Sequence, residues 1–488
     1  MKYTSLRPLF WMKFLIFVSW AILFSLLLKR DVFIGTINLQ ETETLRQAES
    51  EEYQGIYFRE SKIGYVITRY KVGSDKKQLI EQEAVMNLNI AQAVQTITLR
   101  LRATLFAGHY LQDFEFSFQS PFYRMQASGT VDGNSVKYLL DTGTNTIRDT
   151  LTFPTPPLLA TSRRAYLLNE NIQTGEKRRI PWFDPLSLTS KESVLEYRGL
   201  ESVLINGRVQ KLHHFIESFS GARVNSWLND SGVVIKEESP AGFIFQKEPK
   251  FKALNLSGRQ EELLAAVAVK LQGELGDVTG PSKGYRLTIP DGSKLDLHGG
   301  RQVFRDRVLT VSREELPTDV NATTCTDAPE SLAASPYIQA DNPEILKLTK
   351  EIVGPTTEPL LRIKLLAAWV YQNLEKRPVL GLPDALSTLQ SRQGDCNEHA
   401  ALFAALARAA RIPTRIATGV TFHKEAFYYH AWNEVCLDHR WISIDTTTNQ
   451  FPADLTHLRF ILGEMQEQVR LGGLLGTLGI EPLIDREN

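Results

Sequence analysis

Cys396 stands in Gly394-Asp395-Cys396-Asn397-Glu398-His399, directly ahead of an alanine-rich run that ends at Arg411. Asp395 can accept from first-turn amides while Glu398, three residues on, reaches back, a pairing that predicts a helix starting at Cys396. Unpaired amides and the positive end of the helix dipole favour a thiolate there, and the thiolate is the nucleophilic form of cysteine. A lone cysteine is more often a small buried apolar residue. Its chemistry therefore turns on whether a base, and a group to orient that base, stand nearby.

His430 and Asp445 supply those two types. Tyr428 to Leu437 and Arg440 to Asp445 read as strands joined at Asp438-His439. With that turn Leu437 opposes Arg440 and Trp432 opposes Asp445, which makes His430 and Asp445 diagonal neighbours on one face. The carboxylate would fix the imidazole tautomer and stabilise its cation, leaving the other ring nitrogen for the sulfur. The expected catalytic set is Cys396, His430 and Asp445. Trp432 and Gln393 are expected to line the substrate or oxyanion site, Trp432 either shielding an intermediate from water or simply packing. The Cys396 backbone amide is the natural oxyanion donor.

Zinc is the competing use of these side chains, since Cys396, His399, His430, Cys436 and His439 are all ligand types. Their spacings form no paired ligand knuckles, and no D-x-D-x-D-G calcium loop is present, so neither a metal nor a cofactor is expected. His213-His214 sits in a strand pattern without a third ligand and reads as an ordinary surface-and-core pair.

The elements that must position these groups belong to a chain of 488 residues, long enough for two or three domains. Lysine plus arginine (55) nearly balances aspartate plus glutamate (56), so nucleic acid is not an expected partner. From Ile97 to Leu105 apolar and polar residues alternate, and Phe114, Phe116 and Phe118 keep that beat; with turn signals at Asp132-Gly133 and Asn206-Gly207, residues 53–250 read as a large antiparallel β domain. Residues 251–316 read as a small β-rich segment, with 261–271 ambiguous between helix and strand, and 317–335 as a linker. A helix capped by Thr357 then carries Leu361, Leu365, Trp369 and Leu374 along one stripe. It opens a catalytic domain at 336–463, followed by a tail at 464–488.

At the other end, residues 9–28 are apolar between basic flanks and read as one transmembrane helix, with 29–52 as a stalk. The basic residues ahead of it favour a single-pass protein whose bulk is extracytoplasmic, in a periplasm. Three cysteines, Cys325, Cys396 and Cys436, leave an odd thiol if the other two pair.

Taken together, G-D-C-N-E-H before the alanine-rich helix, then Y-H-A-W-N-E-V and W-I-S-I-D-T, resemble the transglutaminase-like superfamily, including its membrane-anchored bacterial members. The resemblance runs from about Pro336 to Gly463 and takes in Gln450-Phe451-Pro452-Ala453-Asp454. It implies that Cys396 is the nucleophile, His430 the base and Asp445 its orienter. It also implies a papain-like core with the cysteine helix packed on an antiparallel sheet. The fold class expected for the whole chain is α+β: that C-terminal core, preceded by the β domain and the N-terminal helix. The expected activity is cleavage or transfer of amide acyl groups of a protein or peptide substrate through a thioester, with hydrolysis ahead of cross-linking. The rival is a non-catalytic envelope module in which the β domain grips an envelope protein and the triad is vestigial.

Overall fold

The computed structural model describes residues 50–483, apart from 73–76, 108, 160–161, 186–188, 220–221, 257–261, 319–324 and 326–328. The expected membrane helix at 9–28 and nearly all of the stalk at 29–52 lie outside the described residues. Among the described residues no helix is long and apolar enough to cross a membrane.

Alternating sequence becomes sheet. β1 (Ser50–Phe58), β2 (Ser61–Val72), β3 (Lys77–Ile90), β4 (Ala93–Phe106) and β5 (Tyr110–Gln119) form an antiparallel meander. The beat read from Ile97 onward is visible in its burial, since Ile97, Ala103, Leu105, Phe114 and Phe116 all face inward. After β6 (Arg124–Asp132), β7 (Ser135–Asp141) and β8 (Thr146–Thr152), the chain returns through β9 (Leu158–Leu159) and helix α1 (Arg163–Asn169). It continues through β10 (Lys177–Asp184), β11 (Thr189–Ile205), β12 (Arg208–Phe219), β13 (Ala222–Leu228), β14 (Val234–Glu238) and β15 (Phe243–Lys247). The β11–β12 turn is Asn206-Gly207, both at positive φ (49° and 76°), as a two-residue hairpin requires.

β15 pairs with β1, from Gln54 opposite Lys247 to Phe58 opposite Phe243. β9 touches β5 at Tyr110 opposite Leu158. The ring is thereby closed with twelve strands, while β6, β7 and β8 leave it from β5 as a flap that ends at β8. This corrects the α+β expectation: the chain is mostly β, with 49% strand against 19% helix and a closed barrel. Period-two alternation signals strands but carries no information on closure, which depends on pairing between segments at opposite ends of the domain.

The barrel supports the rest of the chain. Tyr337 and Leu382 complete an apolar cluster with Phe114, Met125 and Phe183. Gln95 Nε2 donates to the Pro378 carbonyl (3.1 Å) and Thr144 bonds Ser387 (3.0 Å). The segment 261–271 that periodicity left open does both things, as α3 (Leu263–Val267), which follows α2 (Lys250–Ala253), and then β16 (Val269–Lys270). β17 (Ser282–Thr288), β18 (Gln302–Arg305) and β19 (Val308–Ser312) form a small sheet, whose free side takes β26 (Gly479–Pro482) from near the end of the chain.

In the C-terminal region α4 (Pro343–Val353), α5 (Pro359–Asn373) and α6 (Ala385–Ser391) surround the long α7 (Cys396–Ala409). On α5 the buried residues are Leu360, Ile363, Leu366, Ala367 and Val370; of the expected stripe Leu374 is buried and Trp369 packs against the same cluster, whereas Leu365 is half-buried and Leu361 is exposed. α7 lies on a sheet of β22 (Thr414–His423), β23 (Ala426–Leu437), β24 (Arg440–Ile444) and β25 (Leu458–Leu462), and Asn433 Nδ2 donates to the Ala400 carbonyl (3.0 Å) across that contact. Gly419, opposite His430, allows β25 to come close: a Cβ there would sit 1.9 Å from the Leu458 carbonyl oxygen.

Cys325 and Cys436 form a disulfide spanning 111 residues, which pins β23 to the segment ahead of α4. Closing so long a loop is a large restriction on the unfolded chain. Cys325→Ser is expected to lower stability by about 3 to 5 kcal/mol, measured as a shifted denaturant midpoint against the oxidised wild type. An unchanged midpoint would remove this crosslink from the stability of the fold.

Candidate functional site

The cap predicted for α7 forms. Asp395 Oδ1 accepts from the Asn397 amide (2.9 Å) and Glu398 Oε2 from the Asp395 amide (2.9 Å), so Cys396 opens the helix. Glu398 folds back against Gly394, where any Cβ would lie 2.2 Å from the Glu398 Cβ. Beyond this first turn the helix is buried on all sides from Ala400 to Arg408.

Cys396 is the one free thiol among the described residues. The Ala431 amide donates to its sulfur, which places the thiol against β23 one residue along from His430. β24 reaches only to Ile444, opposite Asn433, so the flank of β23 beside Ala431 is left open for that contact. The expectation of a ready thiolate is corrected. Burial, and then the negative charge of Asp395, push the thiol well above its ordinary range, and the Ala431 hydrogen bond only partly offsets them. The helix dipole is worth a fraction of a charge, and the carboxylates that cap the helix oppose it. Glu398 is itself pushed up by burial and by Asp395.

The β23–β24 hairpin has Leu437 opposite Arg440, with Asp438 and His439 at positive φ (48° and 61°) in the turn. Asp445 follows directly after β24. His430 Nε2 lies 2.9 Å from Asp445 Oδ2, leaving Nδ1 uncommitted by this bond. Asp445 is 1% exposed and also accepts from the Thr447 amide (2.8 Å) and the Thr448 hydroxyl (2.5 Å). Burial alone would raise its pKa, but the His430 and His457 hydrogen bonds and their charge hold the carboxyl far below the usual range.

His457 is the member that sequence reasoning missed. Its Nε2 lies 3.2 Å from Asp445 Oδ2 and its Nδ1 2.9 Å from Asp454 Oδ1. Ionised carboxylates only accept, so both ring nitrogens donate and the ring is an imidazolium. Burial opposes that charge, yet the two flanking carboxylates prevail and raise the His457 pKa. The available signal was the Asp454-x-x-His457 spacing just past the quoted motif.

Trp432 is buried between the two imidazoles, 6.2 Å from His430 in a near-parallel stack and 5.2 Å edge-on to His457. Its Nε1–H is buried with no acceptor. Gln393 lies on β21 (Gln393–Gly394), which pairs in parallel with β20 (Glu375–Lys376); it is half-buried and shares no hydrogen bond with Cys396, His430 or Asp445. His430, Asp445 and His457 bring ligand atoms within 4.8 Å of one another and could hold a divalent ion, at the cost of the hydrogen bonds that now link them. Of the other ligand types, Cys436 is in the disulfide and His399 Nδ1 bonds the Asp395 carbonyl (2.7 Å). His213 bonds Tyr197 (2.6 Å) and His214 stacks on Trp227.

Residues 346–446 match the family model described as the transglutaminase-like superfamily. An uncharacterized protein of Haemophilus influenzae is 34% identical over 99 residues, 19% of this chain and 27% of that one, so the chain spans about a quarter of that relative. A solved structure named "a Putative Cysteine Protease from Cytophaga hutchinsonii" is 18% identical, covering 44% of this chain and 78% of its own with a TM-score of 0.29. A beta-barrel-like protein of a domain of unknown function from Brucella abortus is 10% identical, covering 41% and 96% with a TM-score of 0.33.

The His457 charge makes stability depend on pH. A raised folded pKa means its contribution is complete below the ordinary value of 6.5 and is lost as pH rises through the folded pKa. His457→Gln is expected to lower the melting temperature more at pH 5.5 than at pH 9. An equal loss at both values would show that the ring is neutral in the folded protein.

Proposed function

We propose, from the premise that residues 346–446 carry a transglutaminase-like core, that the chain is a thiol enzyme acting on the amide bonds of peptides or proteins. The observation that carries this reading is the 2.9 Å pair of His430 and Asp445, with His430 next along β23 to the Ala431 amide that bonds the free sulfur of Cys396.

In the resting state the thiol keeps its proton, because burial and Asp395 disfavour the anion. Transfer of that proton to His430 creates the thiolate and an imidazolium whose charge Asp445 stabilises. The sulfur attacks the amide carbon, a C–S bond forms, and the carbonyl oxygen takes the negative charge opposite the Cys396 backbone amide. Collapse breaks the C–N bond, and the leaving amine takes the proton from His430. A thioester remains. Water then adds with His430 as base, giving the acid and restoring the thiol; an amine in place of water would give a new amide. Hydrolysis is the simpler outcome, since water needs no binding site. The Cys325–Cys436 disulfide supports an oxidising, extracytoplasmic location.

The rival, a binding module with a vestigial triad, draws support from the unfavourable thiol ionisation and from the size of the barrel. The two separate on the nucleophile. Cys396→Ala is expected to abolish release of amine from a casein or peptide-library substrate, and Asp445→Asn to lower it by about 10²- to 10⁴-fold, both followed by mass spectrometry. Amine release that survives Cys396→Ala would remove Cys396 as the nucleophile, and a wild type that releases none would leave the binding module as the reading.

A further inference from the structure

Three exposed cations stand around the backbone that leads into Cys396. Lys376 is opposite Gly394 in the β20–β21 pair. The Arg377 amide donates to the Gly394 carbonyl (3.1 Å), and the Glu375 amide to the Arg392 carbonyl (2.8 Å). All three are thus tied to the strand that ends two residues before the sulfur. Each charge is also laid on an aromatic ring: Lys376 on Tyr371 (4.0 Å), Arg377 on Phe122 (4.7 Å) and Arg392 on Trp369 (4.5 Å). Trp369 and Cys396 pack against the same apolar cluster.

Among the described residues none of the three forms an ion pair with a carboxylate. Exposed arginines of the barrel are different: Arg69 meets Glu51 at 2.7 Å and Arg100 meets Glu83 at 2.9 Å. Stacking holds a cation in place while leaving its N–H donors free, which pre-organises it for an incoming anion. The one acid on the same short strand is Glu375, also exposed. Nearer the sulfur, Asp395, Glu398 and Asp445 are carboxyl groups, so an anion would be repelled at the reacting centre itself. The cations therefore suit negative charge a few residues to one side of a neutral scissile amide.

We infer that the substrate is an acidic peptide segment, whose carboxylates lie to one side of the scissile amide and are read by Lys376, Arg377 and Arg392. This rests on the acyl-transfer reading above and adds the substrate class to it.

The test uses the oxidised full chain and two chloroacetyl dipeptide amides, one built of two glutamates and one of two glutamines. Each alkylates a thiol with loss of chloride, and the rates are normalised to those of glutathione. The glutamate probe is expected to label Cys396 at least about tenfold faster than the glutamine probe at low ionic strength, with the ratio approaching one in 1 M salt. In the double variant Lys376→Glu with Arg392→Glu the ratio should fall below one, and Lys376→Gln with Arg392→Gln should give an intermediate value. A wild-type ratio of one or less, or a ratio that ignores these substitutions, overturns the acidic-peptide proposal while leaving the thiol chemistry standing. If Cys396→Ala leaves the release of amine from a peptide substrate unchanged, the acyl-transfer reading fails and takes this one with it.

Discussion

A carboxylate with almost no access to water must find its counter-charges inside the protein, and much of the C-terminal architecture is arranged around that need of Asp445. Two imidazoles reach it from different elements: His430 from the middle of β23, and His457 from the turn that enters β25. The Thr447 amide and the Thr448 hydroxyl fill the remaining directions. A buried charge left unpaired costs several kcal/mol, so hairpin, turn and neighbouring strand are held in register by one shared anion. Gly419 belongs to the same arrangement, because its missing side chain is what lets β25 close on β22 beside the histidine.

Counting the groups near the sulfur gives a different picture from the helix dipole taken alone. Asp395 and Asp445 add negative charge, the Glu398 carboxyl is pushed up by burial and then by Asp395, and His457 brings one positive charge that faces Asp445 and Asp454 rather than the thiol. The protonated thiol is the state this field prefers for Cys396, with His430 as its partner in proton transfer. Ionisation becomes favourable only when the proton moves within the pair, since the imidazolium then forms where Asp445 already waits.

How much of this could be read from the sequence follows from how local each cause is. The α7 cap and the β23–β24 register were legible because their determinants lie within a few residues: Asp395 with Glu398, and the Asp438-His439 turn. Thiol acidity was misjudged because burial is a tertiary quantity that the residue order does not state. The α5 stripe met the core at Trp369 and Leu374 but not at Leu361, because Leu360 and Leu361 fit a 3.6 period almost equally well and only the neighbours decide which faces in. His457 was overlooked because its partner across the sheet, Asp445, belongs to another segment. Ring closure was invisible for the same reason on a larger scale: β1 and β15 are ordinary alternating strands until they meet.

That closure bears on which edges of the large sheet are left open. Strands inside a ring have both neighbours supplied by the same chain, which leaves no backbone to recruit a second copy. The flap is the exception, for β8 ends it with β7 as its sheet neighbour. There Arg148 and Asp149 stand side by side among threonines, with Ile147 and Leu151 turned toward the barrel's apolar cluster. A stranger aligning along β8 would have to strip water from both charges before gaining its first hydrogen bond. The border of the flap thus works as a fence against stacking one molecule onto the next.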